Sequence, residues 1–130
     1  MRNKETRRRA QAEVPVLLET IKMGRSTQAK VVLVTCGSLP EARKIAKAVI
    51  AKQLAGCVNV ISAPVESIYR WKGNVEHARE FLLVIKTTPK RRKELETEIA
   101  RLHSYEVPEF LVLDVAGGSK KYLEWLAGSV

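Results

Sequence analysis

The run from Glu66 to Pro89, ESIYRWKGNVEHAREFLLVIKTTP, constrains this chain more than any other stretch. Two extended arms rich in aromatic and β-branched residues flank a Gly-containing turn at Lys72-Gly73-Asn74. That pattern predicts a long β-hairpin. The hairpin is chemically distinctive too, because Tyr69-Arg70-Trp71-Lys72 sets two aromatic rings beside cations. The remaining sequence has to supply what covers it.

Upstream, Ala29 to Thr35 is an apolar run of strand length, of the kind found in a central strand buried on both faces. Ser38-Leu39-Pro40-Glu41 reads as a capping box, with the Ser38 hydroxyl on an early helix N–H and Glu41 reaching back. Ala42, Ile45, Ala46, Val49, Ile50 and Leu54 follow at helical spacing, which predicts a helix from Leu39 to Ala55 ended by Gly56. A second strand begins at Cys57, is interrupted at Pro64 and resumes to Trp71, and it pairs with Val75 to Thr87. Proline cannot donate to a ladder, so this strand belongs at an edge or carries a bulge. Thr88-Pro89 caps a second helix from Lys90 to about His103, Val107 to Val115 forms a fourth strand, and a short helix bearing Tyr122, Leu123, Trp125 and Leu126 closes the chain. The order β-α-β-β-α-β with a terminal helix predicts an α+β fold, the ferredoxin-like split βαβ arrangement, with strands 1 and 3 central and both long helices on one sheet face.

Lengths within that fold do not match. The first helix spans roughly 25 Å at about 1.5 Å per residue. Each hairpin arm spans roughly 40 Å at about 3.3 Å per residue. The far half, with Ile68, Tyr69, Trp71 and Val75, therefore needs another cover. A second copy of the chain is the expected one, since long unprotected edges and apolar patches invite association. The alternative is the closing helix folding over that end.

A net charge of +9 raises the question of nucleic acid. Its location tempers that reading, because residues 1–29 hold seven Lys/Arg against three Glu, with Arg7-Arg8-Arg9 among them. Residues 1–28 are expected to be a peripheral or flexible basic extension with a turn or two of helix after Pro15, and Met23 is an alternative start. Residues 29–130 are expected to form the domain. No apolar run approaches the roughly 18–20 residues needed to cross a bilayer. The extension lacks a secretory h-region. The chain is therefore expected in the cytoplasm without a membrane partner. The two cysteines, Cys36 and Cys57, and two histidines, His77 and His103, show no closed zinc-site spacing.

Several segments together resemble the CutA divalent-cation tolerance family. They are Leu54-Ala55-Gly56-Cys57-Val58-Asn59, Ser67-Ile68-Tyr69-Arg70-Trp71-Lys72-Gly73 and Lys86-Thr87-Thr88. Leu102-His103-Ser104-Tyr105-Glu106-Val107-Pro108-Glu109 and Tyr122-Leu123-Glu124-Trp125 complete the set. The resemblance runs in order from Val31 to Leu126 and implies a ferredoxin-like homotrimer shaped like the PII signalling proteins, linked to tolerance of copper and other divalent cations. Its copper-binding bacterial members imply a Cys at the end of strand 1 and a His pair before a Pro-Tyr segment. Here Val34 takes the first position, with Cys36 two residues later, and the pair is reduced to Leu102-His103 with Ser104 in place of Pro. Cys57 matches the family's widespread cysteine, where a thiolate would suit copper(I). The metal candidates are thus Cys57 and His103, with a buried structural thiol as the alternative for Cys57. His77 is expected at the surface. Tyr69, Trp71, Lys86, Glu109 and Trp125 either line an inter-subunit pocket or serve as packing anchors and an ion pair.

Four functions compete. A non-catalytic homotrimer that binds copper or a similar cation, with no obligatory cofactor, is expected first. A PII-like small-molecule sensor with its ligand in the inter-subunit cleft is second. Nucleic-acid binding is not expected, because strand 1 is Val-Val-Leu-Val and strand 3 offers only Phe81 for stacking. An acylphosphatase-like enzyme is not expected either. Cys36-Gly37-Ser38-Leu39-Pro40 holds no cation, and no nucleophile–base pair is recognisable.

Overall fold

The computed structural model describes residues 28–130. The basic extension, its expected helical turns after Pro15 and the alternative start at Met23 lie outside the described residues. The elements are β1 (Lys30–Cys36), α1 (Leu39–Ala51), β2 (Cys57–Val60), β3 (Val65–Trp71), β4 (Asn74–Thr87), α2 (Pro89–Leu102), β5 (Leu111–Asp114) and α3 (Lys120–Gly128). The antiparallel sheet has the order β2-β4-β1-β5, with β3 continuing the β2 edge along the outer half of β4. This is the expected α+β, ferredoxin-like topology with β1 and β4 central.

Alternation along the central strands decides where the core sits. Val32, Val34 and Cys36 of β1 and Leu83 and Ile85 of β4 are fully buried, and they pack with Ala42, Ile45 and Val49 of α1 and Leu95 and Ile99 of α2. The intervening residues Val31, Leu33 and Thr35 are only half-buried. Strand β1 is therefore closed on its helix face and only part-covered on the other, not buried on both as its apolar run implies. The two long helices, α1 and α2, cover a single face.

Two elements end earlier or start later than the sequence pattern suggests. Helix α1 stops at Ala51, one turn before Gly56, because Gln53 adopts φ 56°. The amide of Gln53 returns to the Ile50 carbonyl at 3.0 Å, and that of Leu54 to the Val49 carbonyl at 2.9 Å. These two bonds make a Schellman cap. Gly56 has another job: a Cβ there would meet Leu126 Cδ1 at 2.6 Å, so the missing side chain lets α3 pack close. Strand β5 begins only at Leu111, since the 103–110 segment bends across the end of β1 and its own Pro108 offers no amide.

The hairpin forms as the sequence predicts. Trp71 pairs with Asn74. Lys72 and Gly73 between them have φ 49° and 83°, both positive as in a type I′ turn. Ile68 is 60% exposed, Val75 58%, Tyr69 45% and Trp71 43%. Helix α3 does not cover them, because it lies against Gly56, whose amide bonds the Lys86 carbonyl at the opposite end of β4.

Candidate functional site

Topology brings three chemically active side chains to one end of the sheet. Strand β1 ends at Cys36, α1 begins beside it with Glu41 in its first turn, and α2 ends there at His103. A sulfur, a carboxylate oxygen and an imidazole nitrogen from these residues all lie within 4.8 Å of one another. This is the sole such grouping of metal-ligand types among the described residues.

Each member is already engaged. Tyr105 N–H donates to His103 Nδ1 at 3.1 Å, so the ring proton sits on Nε2, which donates to the Thr35 carbonyl at 2.7 Å. Glu41 does not close the expected capping box. Ser38 Oγ does accept from the Glu41 amide at 3.3 Å, but the Glu41 carboxylate accepts from Ser104 N–H at 2.7 Å. Burial, reinforced by the Glu41 and Glu80 carboxylates, pushes the Cys36 thiol up to about 12. The thiol is neutral at physiological pH.

The same segment builds a cleft against the hairpin. Tyr105 passes over Gly37, where a Cβ would lie 3.1 Å from its hydroxyl, and the phenol donates to Glu80 Oε2 at 2.9 Å. Desolvation and the Glu80 carboxylate together raise the phenol above its ordinary range. The cleft, of about 640 Å³, is lined by Thr35, Tyr69, Trp71, Glu80, Tyr105 and Glu109 together with Ser67, Ile68, Glu106, Val107 and Pro108. Glu109 is shifted upward, first by desolvation and then by Glu80.

The sequence candidates thus divide into groups. His103 joins Cys36 and Glu41, while Cys57 pairs with Lys86 near the start of β1. Thr35, which His103 holds, pairs instead with Leu82. Four residues along β4 separate Cys57 from His103, roughly 13 Å of strand. Tyr69, Trp71 and Glu109 share the cleft. Lys86 lies with Lys30, Lys121 and Tyr122 in a separate hollow at the other end, so it makes no ion pair with Glu109 within the chain. Trp125 sits on α3, half-buried, with its ring 5.4 Å from that of Tyr122. His77 is exposed on β4. Glu41 and Glu80 were not singled out by the sequence reading. Glu41 had an explanation as a helix cap, and Glu80 is one of several charges in EHARE.

A family profile described as CutA1 divalent ion tolerance protein matches residues 30–129. The chain belongs to the CutA family. It is 44% identical over 97 residues to the divalent-cation tolerance protein CutA of Thermus thermophilus, spanning 75% of this chain and 93% of that protein. The solved structure of a Thermus thermophilus protein of this name superposes with a TM-score of 0.73, covering 75% of this chain and 94% of that one. The rice CutA1 structure, 38% identical, gives 0.76 and covers 80% and 94%. The protein named CutA, chloroplastic, from Arabidopsis thaliana is 40% identical over 99 residues, 76% of this chain and 54% of the plant protein. Membership makes the CutA chain a non-enzymatic tolerance protein rather than a catalyst. No helix among the described residues is long and apolar enough to cross a membrane.

Proposed function

We propose that this CutA protein is a homotrimer that binds copper or another divalent cation without catalysis, through Cys36, Glu41 and His103. The convergence of these three donors within 4.8 Å carries the reading. A thiol, an imidazole and a carboxylate together suit zinc or copper better than magnesium or calcium. Because every donor is already hydrogen-bonded or protonated, a cation has to displace a thiol proton and at least one contact of His103. That exchange favours modest affinity. The metal thiolate of the sequence reading moves in this proposal from Cys57 to Cys36, while His103 is retained. A cytoplasmic location is part of the proposal.

Calorimetric titration of copper(I), copper(II) and zinc into wild type, Cys36→Ser, His103→Ala and Cys57→Ser tests the assignment. The first two variants should lose about tenfold or more in affinity. Cys57→Ser should bind like wild type. A loss confined to Cys57→Ser would overturn the site.

A second reading, a PII-like small-molecule sensor, is favoured by one observation: the cleft joins Tyr69, Trp71 and Glu109, drawn from the hairpin and from the 103–110 segment. Concave sites that combine aromatic walls with a few polar groups are the usual form of ligand pockets.

A further inference from the structure

We propose that the cleft between the hairpin and the 105–109 segment binds a small organic ammonium ion, held by Glu80 and Glu109 against the rings of Tyr69, Trp71 and Tyr105. This deepens the sensor reading and rests on it.

Glu80 is 7% exposed, and the hydrogen bond it receives comes from the Tyr105 hydroxyl on Oε2. No cation pairs with it among the described residues. A carboxylate taken that far from water is costly unless a positive charge compensates it. None of the described residues lining the cleft is a lysine or arginine, and their other ionisable side chains are Glu106, Glu109 and two tyrosines. Crowding of like charge also shows at Glu109, where desolvation and Glu80 both favour the protonated form. Among the described residues of one chain, the cleft is a negative cavity without a counter-charge.

Its dimensions select the kind of cation. No three carboxylates of the cleft converge, in contrast to Cys36, Glu41 and His103, so the site does not wrap a bare metal ion. A volume of about 640 Å³ fits a small molecule instead. Aromatic faces attract alkylammonium groups through the ring quadrupole and cover their methyl or methylene surface. Trp71 already receives one cation in this way: Lys72 Nζ lies 5.9 Å from its ring centroid, and Lys72 is not among the cleft residues.

The test uses choline as the probe and 3,3-dimethylbutan-1-ol as its uncharged isostere. Both are titrated calorimetrically into the full chain and into Glu80→Gln and Glu109→Gln, with circular dichroism and sedimentation establishing that each variant keeps fold and assembly. Saturable choline binding is expected, weakened about tenfold or more by Glu109→Gln and by Glu80→Gln. The neutral alcohol should bind at least about tenfold more weakly than choline. Equal binding of the alcohol would overturn the charge selection while leaving the cleft as a ligand site. Choline affinity unchanged in both variants would place the ion elsewhere and overturn the proposal. Absence of saturable binding by either probe would overturn this inference and leave the sensor reading, which names no ligand class, to other ligands.

Discussion

Gln53 holds φ 56° at the end of α1, where glycine would sit without strain. Its amide still completes the helix cap, so the chain tolerates the strain in order to turn into β2. Gln53→Gly should therefore stabilise the protein by about 0.5 kcal/mol, the relieved left-handed strain being partly offset by glycine's greater freedom when unfolded. Urea unfolding checks this, and a loss of stability would show that the Gln53 side chain contributes a contact of its own. The sequence pointed to Gly56 for this cap because glycine is the common choice there, and backbone strain carried by a glutamine leaves no mark in composition. Single residues of the candidate site were legible to different degrees. His103 stood out by type and neighbours. Cys36 and Glu41 did not, although the fold order implied their meeting: β1 ends, α1 begins and α2 ends at one end of the sheet. Cys57, which follows α1, then has to lie at the opposite end.

At the scale of elements, α1 and α2 are joined by charge as well as by their buried faces. Glu98 of α2 accepts from Arg101 at 2.8 and 2.9 Å and lies 2.7 Å from Lys52 at the end of α1. These hydrogen bonds, from Arg101 first and then Lys52, hold the carboxyl at about 2. A folded pKa below the unfolded one gives stability that is present at neutral pH and is lost as pH falls from the ordinary glutamate range towards 2. Glu98→Gln should thus unfold at a lower temperature than wild type at pH 7, with the gap closing between about pH 4.5 and pH 2. Calorimetric scans of both proteins across that range test it, and a constant gap would mean that the carboxylate charge is not what Glu98 contributes. Hydrophobic spacing made both helices readable in advance. The network was not readable, because the partners at positions 52 and 98 meet only when the two helices lie side by side.

For the whole molecule, the sheet has one face under α1 and α2 and the other only part-covered, and its hairpin projects beyond both. The mismatch of lengths was legible from residue counts alone, and the exposures of Ile68, Tyr69, Trp71 and Val75 agree with it. Leu111 and Leu113 of the β5 edge are 53% and 47% exposed, which adds a second apolar strip at the opposite side of the sheet. An apolar strip at each edge suits head-to-tail contact between copies, and such contacts close into rings when the rotation permits. The proposed trimer would place each hairpin against a neighbour and shield both strips. Sedimentation equilibrium at micromolar concentration should then give three times the 14.6 kDa chain mass. Ile68→Asp should shift the distribution to the single-chain mass, because a buried unpaired carboxylate at an interface is strongly unfavourable. The same substitution should leave the far-UV circular dichroism of the monomer native-like, since Ile68 is 60% exposed within one chain. A monomeric wild type would refute the trimer, and a trimeric Ile68→Asp would show that the hairpin is not its interface.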